Sequence, residues 1–277
     1  METWLVDAAA AFLAEDVGRG DRTTEAVVPP GARGRARIEA RSEMVAAGLD
    51  AVEACFAVAG DGTVKFQAEV ADGDRVGPHD VIAHVEGDLP AILMAERTAL
   101  NLLGRLSGVA TLTSAYVEAV RGTPARIIDT RKTTLGLRRL EKAAVRAGGG
   151  HNHRSGLDDG ILIKDNHIAA AGGVARAVQA AARNAPHSLA VEVEITSLDE
   201  LDEAVAAGAS IVLLDNMTPE MVAEAAARVP DNVLLEASGG IDLAHAKAYA
   251  EAGAHLISIG ALTHSAPSAD VSLEVES

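Results

Sequence analysis

The chain has one cysteine, Cys55, in 277 residues. An internal disulfide framework is therefore excluded, and this usage fits a reducing compartment. No apolar run reaches the roughly 18 residues that a membrane span requires. The opening stretch, Met1 to Asp16, has no basic n-region and carries acids among its apolar residues. That pattern predicts a helix, not a secretory leader, so a soluble cytoplasmic protein is expected. Positive charge is scarce: 24 Lys and Arg face 40 Asp and Glu, for a formal charge of -16, and only five of the 24 are lysine. A chain of this sign repels a nucleic-acid backbone, which removes that partner as the default. An acid-rich, lysine-poor surface predicts either a protein that works at high salt or the ordinary acidity of a high-GC genome. Melting in low and in multimolar KCl separates the two, because only the first expects a gain from salt.

The positive charge that is present is concentrated. Between Arg97 and Lys164 there are 12 Lys and Arg against five Asp and Glu, with His151 and His153 in addition. Such a cluster is either a solvated basic face or a cationic pocket for a small polyanion.

The length allows one large domain or two ordinary ones. Up to about Asp88 the pattern is mixed. A helix is expected over Glu2–Glu15 and a short one over Ala51–Val58. Alternating strands are expected at Gly34–Ala40, Val64–Val70 and Asp80–Val85, separated by Gly and Asp clusters. Leu89–Val120 is nearly all good helix former and is expected as two helices broken near Ser107-Gly108. After Arg126 the pattern becomes strand, helix, strand. Short apolar strands are expected at Arg126–Asp129, Ile161–Lys164, Ala190–Ile195, Ile211–Leu214, Val233–Glu236 and Leu256–Ile259, with alanine-rich helices between most of them. Continuous apolar strands followed by helices indicate a parallel sheet buried on both faces. An incomplete α/β barrel and an open doubly wound sheet both satisfy this.

Each of these strands ends in a polar or glycine-rich cluster, where barrel enzymes carry their chemistry. Thr130-Arg131-Lys132 offers a planar fork for a carboxylate and a point charge for phosphate. Gly148-Gly-Gly-His-Asn-His-Arg154 places three glycines before His153 and Arg154, candidate anion donors. The His151-x-His153 spacing could also hold a metal, although no third ligand is near in sequence. Glu194 and Asp215 end neighbouring strands and are expected to face one cavity, where two carboxylates could hold Mg2+ through water, bind sugar hydroxyls or stabilise a developing cation. Ser238-Gly239-Gly240 and Gly260-Ala261-Leu262 follow the last two strands, the usual place for phosphate-binding turns.

Taken in order, these segments resemble the quinolinate phosphoribosyltransferases, also called carboxylating nicotinate-nucleotide pyrophosphorylases. The segments that carry the resemblance begin with Glu15-Asp-Val-Gly-Arg-Gly-Asp21, Ala95-Glu-Arg-Thr-Ala-Leu-Asn101 and Asp129-Thr-Arg-Lys-Thr-Thr134. The glycine run into His153-Arg154, Ile163-Lys-Asp-Asn-His167 and Glu192-Val-Glu194 follow. Leu214-Asp-Asn216, Glu236-Ala-Ser-Gly-Gly240 and Gly260-Ala-Leu-Thr-His-Ser265 complete them. The resemblance spans nearly the whole chain. It implies an α/β protein: an N-terminal α/β sandwich domain over residues 1–106 and an incomplete, TIM-like α/β barrel over 107–266, with a tail, 267–277, that packs back on the first. It also implies a homodimer in which Arg97 of one subunit completes the partner's site. Arg97, Arg131, His153, Arg154 and Lys164 are then expected to bind the two carboxylates of quinolinate, and Lys132 to serve the pyrophosphate. Glu194 and Asp215 are expected to hold the ribose and, indirectly, its Mg2+. Thr130, Ser238, Gly239, Gly240, Gly260, Ala261, Leu262 and His264 are expected to contact substrate. The implied catalytic groups are Lys132, Lys164, Glu194 and Asp215.

The implied reaction joins quinolinate to phosphoribosyl pyrophosphate, giving nicotinate mononucleotide, pyrophosphate and CO2 in NAD biosynthesis. Three other readings stand beside it. One is a paralogous pyrophosphorylase for another acidic acceptor. Another is a barrel lyase or aldolase using Lys164 as a Schiff-base amine. The last is an anion-sensing module without catalysis.

Overall fold

The computed structural model describes residues 1–276. In chain order the elements are α1 (Thr3–Val17), α2 (Arg22–Val27), β1 (Arg33–Ala40), β2 (Met44–Val45), α3 (Leu49–Gly60), β3 (Lys65–Ala68), β4 (Arg75–Val76), β5 (Val81–Asp88) and α4 (Leu89–Ala119). They continue with β6 (Arg126–Ile128), α5 (Arg138–Ala147), β7 (Ile161–Ile163), α6 (Asp165–Ala171), α7 (Val174–Asn184), β8 (Val191–Ile195) and α8 (Leu198–Ala206). The remainder are β9 (Ile211–Asp215), α9 (Pro219–Arg228), β10 (Leu234–Ser238), α10 (Ala246–Glu251), β11 (Leu256–Ser258), α11 (Ala261–His264) and β12 (Val271–Glu276). The chain divides into two units: Met1–Leu112 with Arg139–Gly149 and the segment from Ala266 on, and Thr113–Arg138 with Gly150–Ser265.

The first unit is built on an antiparallel sheet in the order β12-β1-β5-β3. Strand alternation turns Ala36, Ile38 and Ala40 of β1 inward, opposite Val85 and Ala83 of β5. Leu5, Ala9 and Leu13 recur every four residues along α1, so one face of that helix is buried, and it packs against α3. Cys55 lies in the interior face of α3, where burial pushes its thiol up to about 12, so it serves as packing and not as a nucleophile.

One expectation is corrected in this unit. α4 is one continuous helix and does not break at Ser107-Gly108. Gly108 is needed for another reason: a Cβ there would sit 2.0 Å from the Pro267 carbonyl oxygen, so the glycine admits the returning backbone. The expected boundary at 106/107 therefore falls inside a helix. Residues 139–149, expected in the barrel, belong to the first unit. There Glu141 of α5, 0% exposed, receives Arg105 of α4 at 2.8 Å, and Arg105 also donates to the Ala266 carbonyl at 3.0 Å.

The second unit holds six parallel strands in the order β6-β11-β10-β9-β8-β7. The first strand pairs with the last, which is the order of a wrapped barrel. In an open doubly wound sheet the first strand lies inside, flanked on both sides. The gap falls between β6 and β7, and the loop at His151 partly closes it: the His151 N–H donates to the Ile127 carbonyl at 2.9 Å, and the Asp129 N–H to the His151 carbonyl at 3.1 Å. Outer helices are capped as their sequences dictate. Ser197 accepts the Glu200 N–H to start α8, and Thr218, followed by Pro219, accepts the Met221 N–H to start α9. Among the described residues no helix is long and apolar enough to cross a membrane.

Candidate active site

The C-terminal ends of the barrel strands surround one cavity of about 630 Å³ in the second unit. Eleven of the residues singled out from sequence line it: Thr130, Arg131, Lys132, His153, Arg154, Lys164, Glu194, Asp215, Ser238, Gly239 and Gly240. The structure adds Leu162, Leu213, Asn216, Glu236 and Ser258.

The wall at β6 is set by Asp129, which is fully buried. Its two carboxylate oxygens accept the His153 backbone N–H at 2.8 Å and the Asn152 amide at 2.6 Å, fastening the glycine-rich loop to the strand end. Thr130 accepts the Lys132 N–H at 3.0 Å, turning the chain so that Arg131 and Lys132 both face the cavity. The Arg131 Nε is buried and has no hydrogen-bond partner. Arg154 donates to the Gly160 carbonyl at 3.1 Å. Burial first, and the like charge of Arg131 second, weaken its hold on its proton relative to a free guanidinium. The base of the opposite wall pairs Lys164 with Glu194 in a short ion pair.

The turns after β9 and β10 lock together. Asn216 is left-handed at φ 55°, its N–H donates to the Ser238 carbonyl at 2.8 Å, and its side-chain amide donates to Asp215 at 2.8 Å. Gly239, at φ 100°, lies so close that a Cβ would be 2.3 Å from the Asn216 Oδ1. That glycine is dictated by both backbone and space.

The remaining expected residues are placed differently. Gly260 lies directly behind Lys132, since a Cβ there would meet the Lys132 Cδ at 3.1 Å. Leu262 is completely buried, and its side chain packs in the core. Ala261 and His264 are on α11 but do not line the cavity, and His264 is exposed with its Nδ1 2.6 Å from the Ser265 hydroxyl. Arg97 is exposed on α4 of the first unit and lines no part of the cavity.

Sequence reasoning left two strand residues, Glu192 and Glu236, outside the candidate set, and of these Glu236 lines the cavity. They are 6% and 1% exposed. With His153 they bring a ring nitrogen and two carboxylate oxygens within 4.8 Å of one another. Burial, and then the neighbouring Glu192 charge, drive the Glu236 carboxyl well above the ordinary range. Strand alternation was the signal available: Glu192 shares a face with Glu194, and Glu236 with Ser238. His151, the other half of the His-x-His pair, is exposed and belongs to no such cluster.

Comparison with known proteins decides the family. The model for the quinolinate phosphoribosyl transferase C-terminal domain matches residues 109–274, and that for the N-terminal domain matches 21–107. The chain belongs to the quinolinate phosphoribosyltransferase family. It is 45% identical over 264 residues to the probable carboxylating nicotinate-nucleotide pyrophosphorylase of Bacillus subtilis (strain 168), covering 95% of this chain and 91% of that one. It is 44% identical over 272 residues to the carboxylating nicotinate-nucleotide pyrophosphorylase of Mycobacterium leprae (strain TN), covering 95% and 94%. Among solved structures, the nicotinate-nucleotide pyrophosphorylase of Francisella tularensis superposes with a TM-score of 0.93 at 38% identity, covering 99% of this chain and 96% of that one. The pairing of a small-sheet unit with a six-stranded barrel is therefore the family's architecture.

Proposed function

We propose that this member of the quinolinate phosphoribosyltransferase family transfers the phosphoribosyl group of phosphoribosyl pyrophosphate to quinolinate, releasing pyrophosphate and CO2. The observation that carries this reading is the convergence of Arg131, Lys132, Arg154 and Lys164 on one cavity in a chain of charge -16, with the Arg131 Nε buried and unpartnered. A buried donor without an acceptor implies a ligand that supplies one. A dicarboxylate beside a phosphorylated sugar supplies several.

Arg131, Arg154 and Lys164 grip the two carboxylates, and Lys132, against Gly260, serves the phosphate end. As pyrophosphate leaves C1 of the sugar, positive character develops on the ring, and Glu194 and Asp215 are positioned to stabilise it. The pyridine nitrogen then bonds to C1, the cationic nitrogen stabilises the electron pair left on ring C2 when the 2-carboxylate leaves as CO2, and that carbon takes up one proton from water to give nicotinate mononucleotide. Glu194 and Asp215 are hard oxygen donors of the kind that suits Mg2+ held partly by phosphate and water, so the residues present fit that ion. Held there by Glu194 and Asp215 with the sugar pyrophosphate, such an ion would supply positive charge against the departing pyrophosphate. Arg97 is assigned to the site of a second subunit in a homodimer. Its exposure on α4 leaves the guanidinium available for that role. A soluble cytoplasmic enzyme fits the absence of a membrane-spanning helix among the described residues.

The lyase reading is disfavoured by the Lys164–Glu194 ion pair, because the Lys164 nitrogen is engaged by a carboxylate and does not stand open to a carbonyl carbon. The deciding assay supplies purified protein with quinolinate, phosphoribosyl pyrophosphate and Mg2+ and follows products by mass spectrometry, with nicotinate in a parallel arm. Nicotinate mononucleotide from quinolinate alone is the expected outcome. No product from folded protein would move the search to another acidic acceptor.

A further inference from the structure

His153 lies between two cavities. It lines the upper one together with Arg154 and Glu236, and the same three residues line a second cavity of about 320 Å³ that also reaches Glu192. Both nitrogens of its ring are engaged. The Arg154 backbone N–H donates to Nδ1 at 2.6 Å, so Nδ1 presents a lone pair and carries no proton. The ring proton is therefore on Nε2, which faces a Glu192 oxygen at 3.1 Å and the Glu236 Oε1 at 4.0 Å. A protonated Nε2 cannot ligate a metal, and a ring with a bare Nδ1 is not a cation. Glu192 and Glu236 each keep one buried oxygen without a hydrogen-bond partner.

We propose that Glu192, backed by Glu236, is a positioning residue. It holds His153 as a neutral ring with its proton on Nε2, so that Nδ1 takes the Arg154 N–H and fixes the arginine for the dicarboxylate. Arg154 is then restrained at two points, its backbone by His153 and its guanidinium by the Gly160 carbonyl, over a glycine whose Cβ would meet the arginine stem at 3.2 Å. The assignment of the dicarboxylate to Arg154 rests on the function proposed above.

The test has two parts. Long-range 15N–1H correlation of selectively labelled protein, without substrate, should show His153 protonated on Nε2 and bare on Nδ1 at neutral pH. A proton on Nδ1, alone or on both nitrogens, overturns the proposal. Kinetics then separate hydrogen bonding from charge. Glu192→Met removes the acceptor and should raise KM for quinolinate by about tenfold while KM for phosphoribosyl pyrophosphate stays within about twofold, the worth of a misplaced charged hydrogen bond. Glu192→Gln keeps an acceptor of the same reach and should recover most of that loss. A glutamine variant as impaired as the methionine one, or an unchanged KM in both, overturns it. If Glu192→Met does not fold, the glutamine variant and the tautomer still decide. The tautomer is read on the protein alone, so it stands apart from the result that would defeat the functional reading, a parent protein that makes no nicotinate mononucleotide.

Discussion

The outer face of β1 and the barrel cavity use the same side chain to opposite ends. On the sheet, Arg35 faces Glu276 at 3.2 Å, Arg37 is paired with Glu39, and Arg41 is paired with Glu274. Each guanidinium there finds a carboxylate of its own chain. In the cavity Arg131 keeps a buried donor without an acceptor among the described residues, and Arg154 donates to a backbone carbonyl with Arg131, Glu192 and Asp159 near it. Exposed pairs contribute little because water already satisfies both partners. A buried cation left unsatisfied costs stability, and the fold retains it only where a ligand repays the cost. Arginines matched with carboxylates on the sheet therefore mark structure, and the Arg131 donor left without an acceptor marks the site.

The comparison can be sharpened by removing one partner from each kind of arginine environment. The largest effect belongs to a third environment, the buried pair of Arg105 and Glu141. Glu141→Leu leaves Arg105 without its carboxylate and should cost about 3–5 kcal/mol of stability, read as a fall in the denaturant midpoint. Next come Arg131→Ala and Arg154→Ala, which should lose roughly 1.5–3 kcal/mol of transition-state binding, a 10- to 100-fold drop in kcat/KM for quinolinate, without loss of melting temperature. Unchanged kinetics in both would break the comparison at its centre. Gly239→Ala should follow, costing about 1–3 kcal/mol from a strained left-handed residue pressed against Asn216, with the larger share seen as weaker phosphoribosyl pyrophosphate binding. Arg41→Ala on the sheet should change stability by less than about 1 kcal/mol and leave kinetics untouched. A loss as large as that at Glu141 would show the surface pairs to be structural after all.

Much of the cavity was legible because it is written at strand ends, where a polar cluster after each apolar run is a local signal. Thr130 to Lys132, Lys164, Glu194, Asp215 and Ser238 to Gly240 were found in that way. What was not legible is nonlocal. The choice between barrel and open sheet depends on β6 pairing with β11, over a hundred residues apart, and no local pattern encodes that. Gly108 reads as a helix break until Pro267 is seen to pass over it. Residues 139–149 group with the first unit through contacts far apart in sequence, Glu141 with Arg105 among them. Glu192 and Glu236 were visible as strand residues, but their isolation from water, which gives them meaning, was not.

One feature of the first sheet bears on how the chain is made. β12 closes the edge of β1, yet it is synthesised only after the entire barrel. During that interval β1 stands as an open edge with its backbone donors and acceptors unpaired, ready to accept a strand from any neighbour. The charged side chains along β1 then act as guards while the nascent chain waits for its own last strand. Translation that stops before Val271 would leave that edge permanently open, and the shortened product would be expected to self-associate.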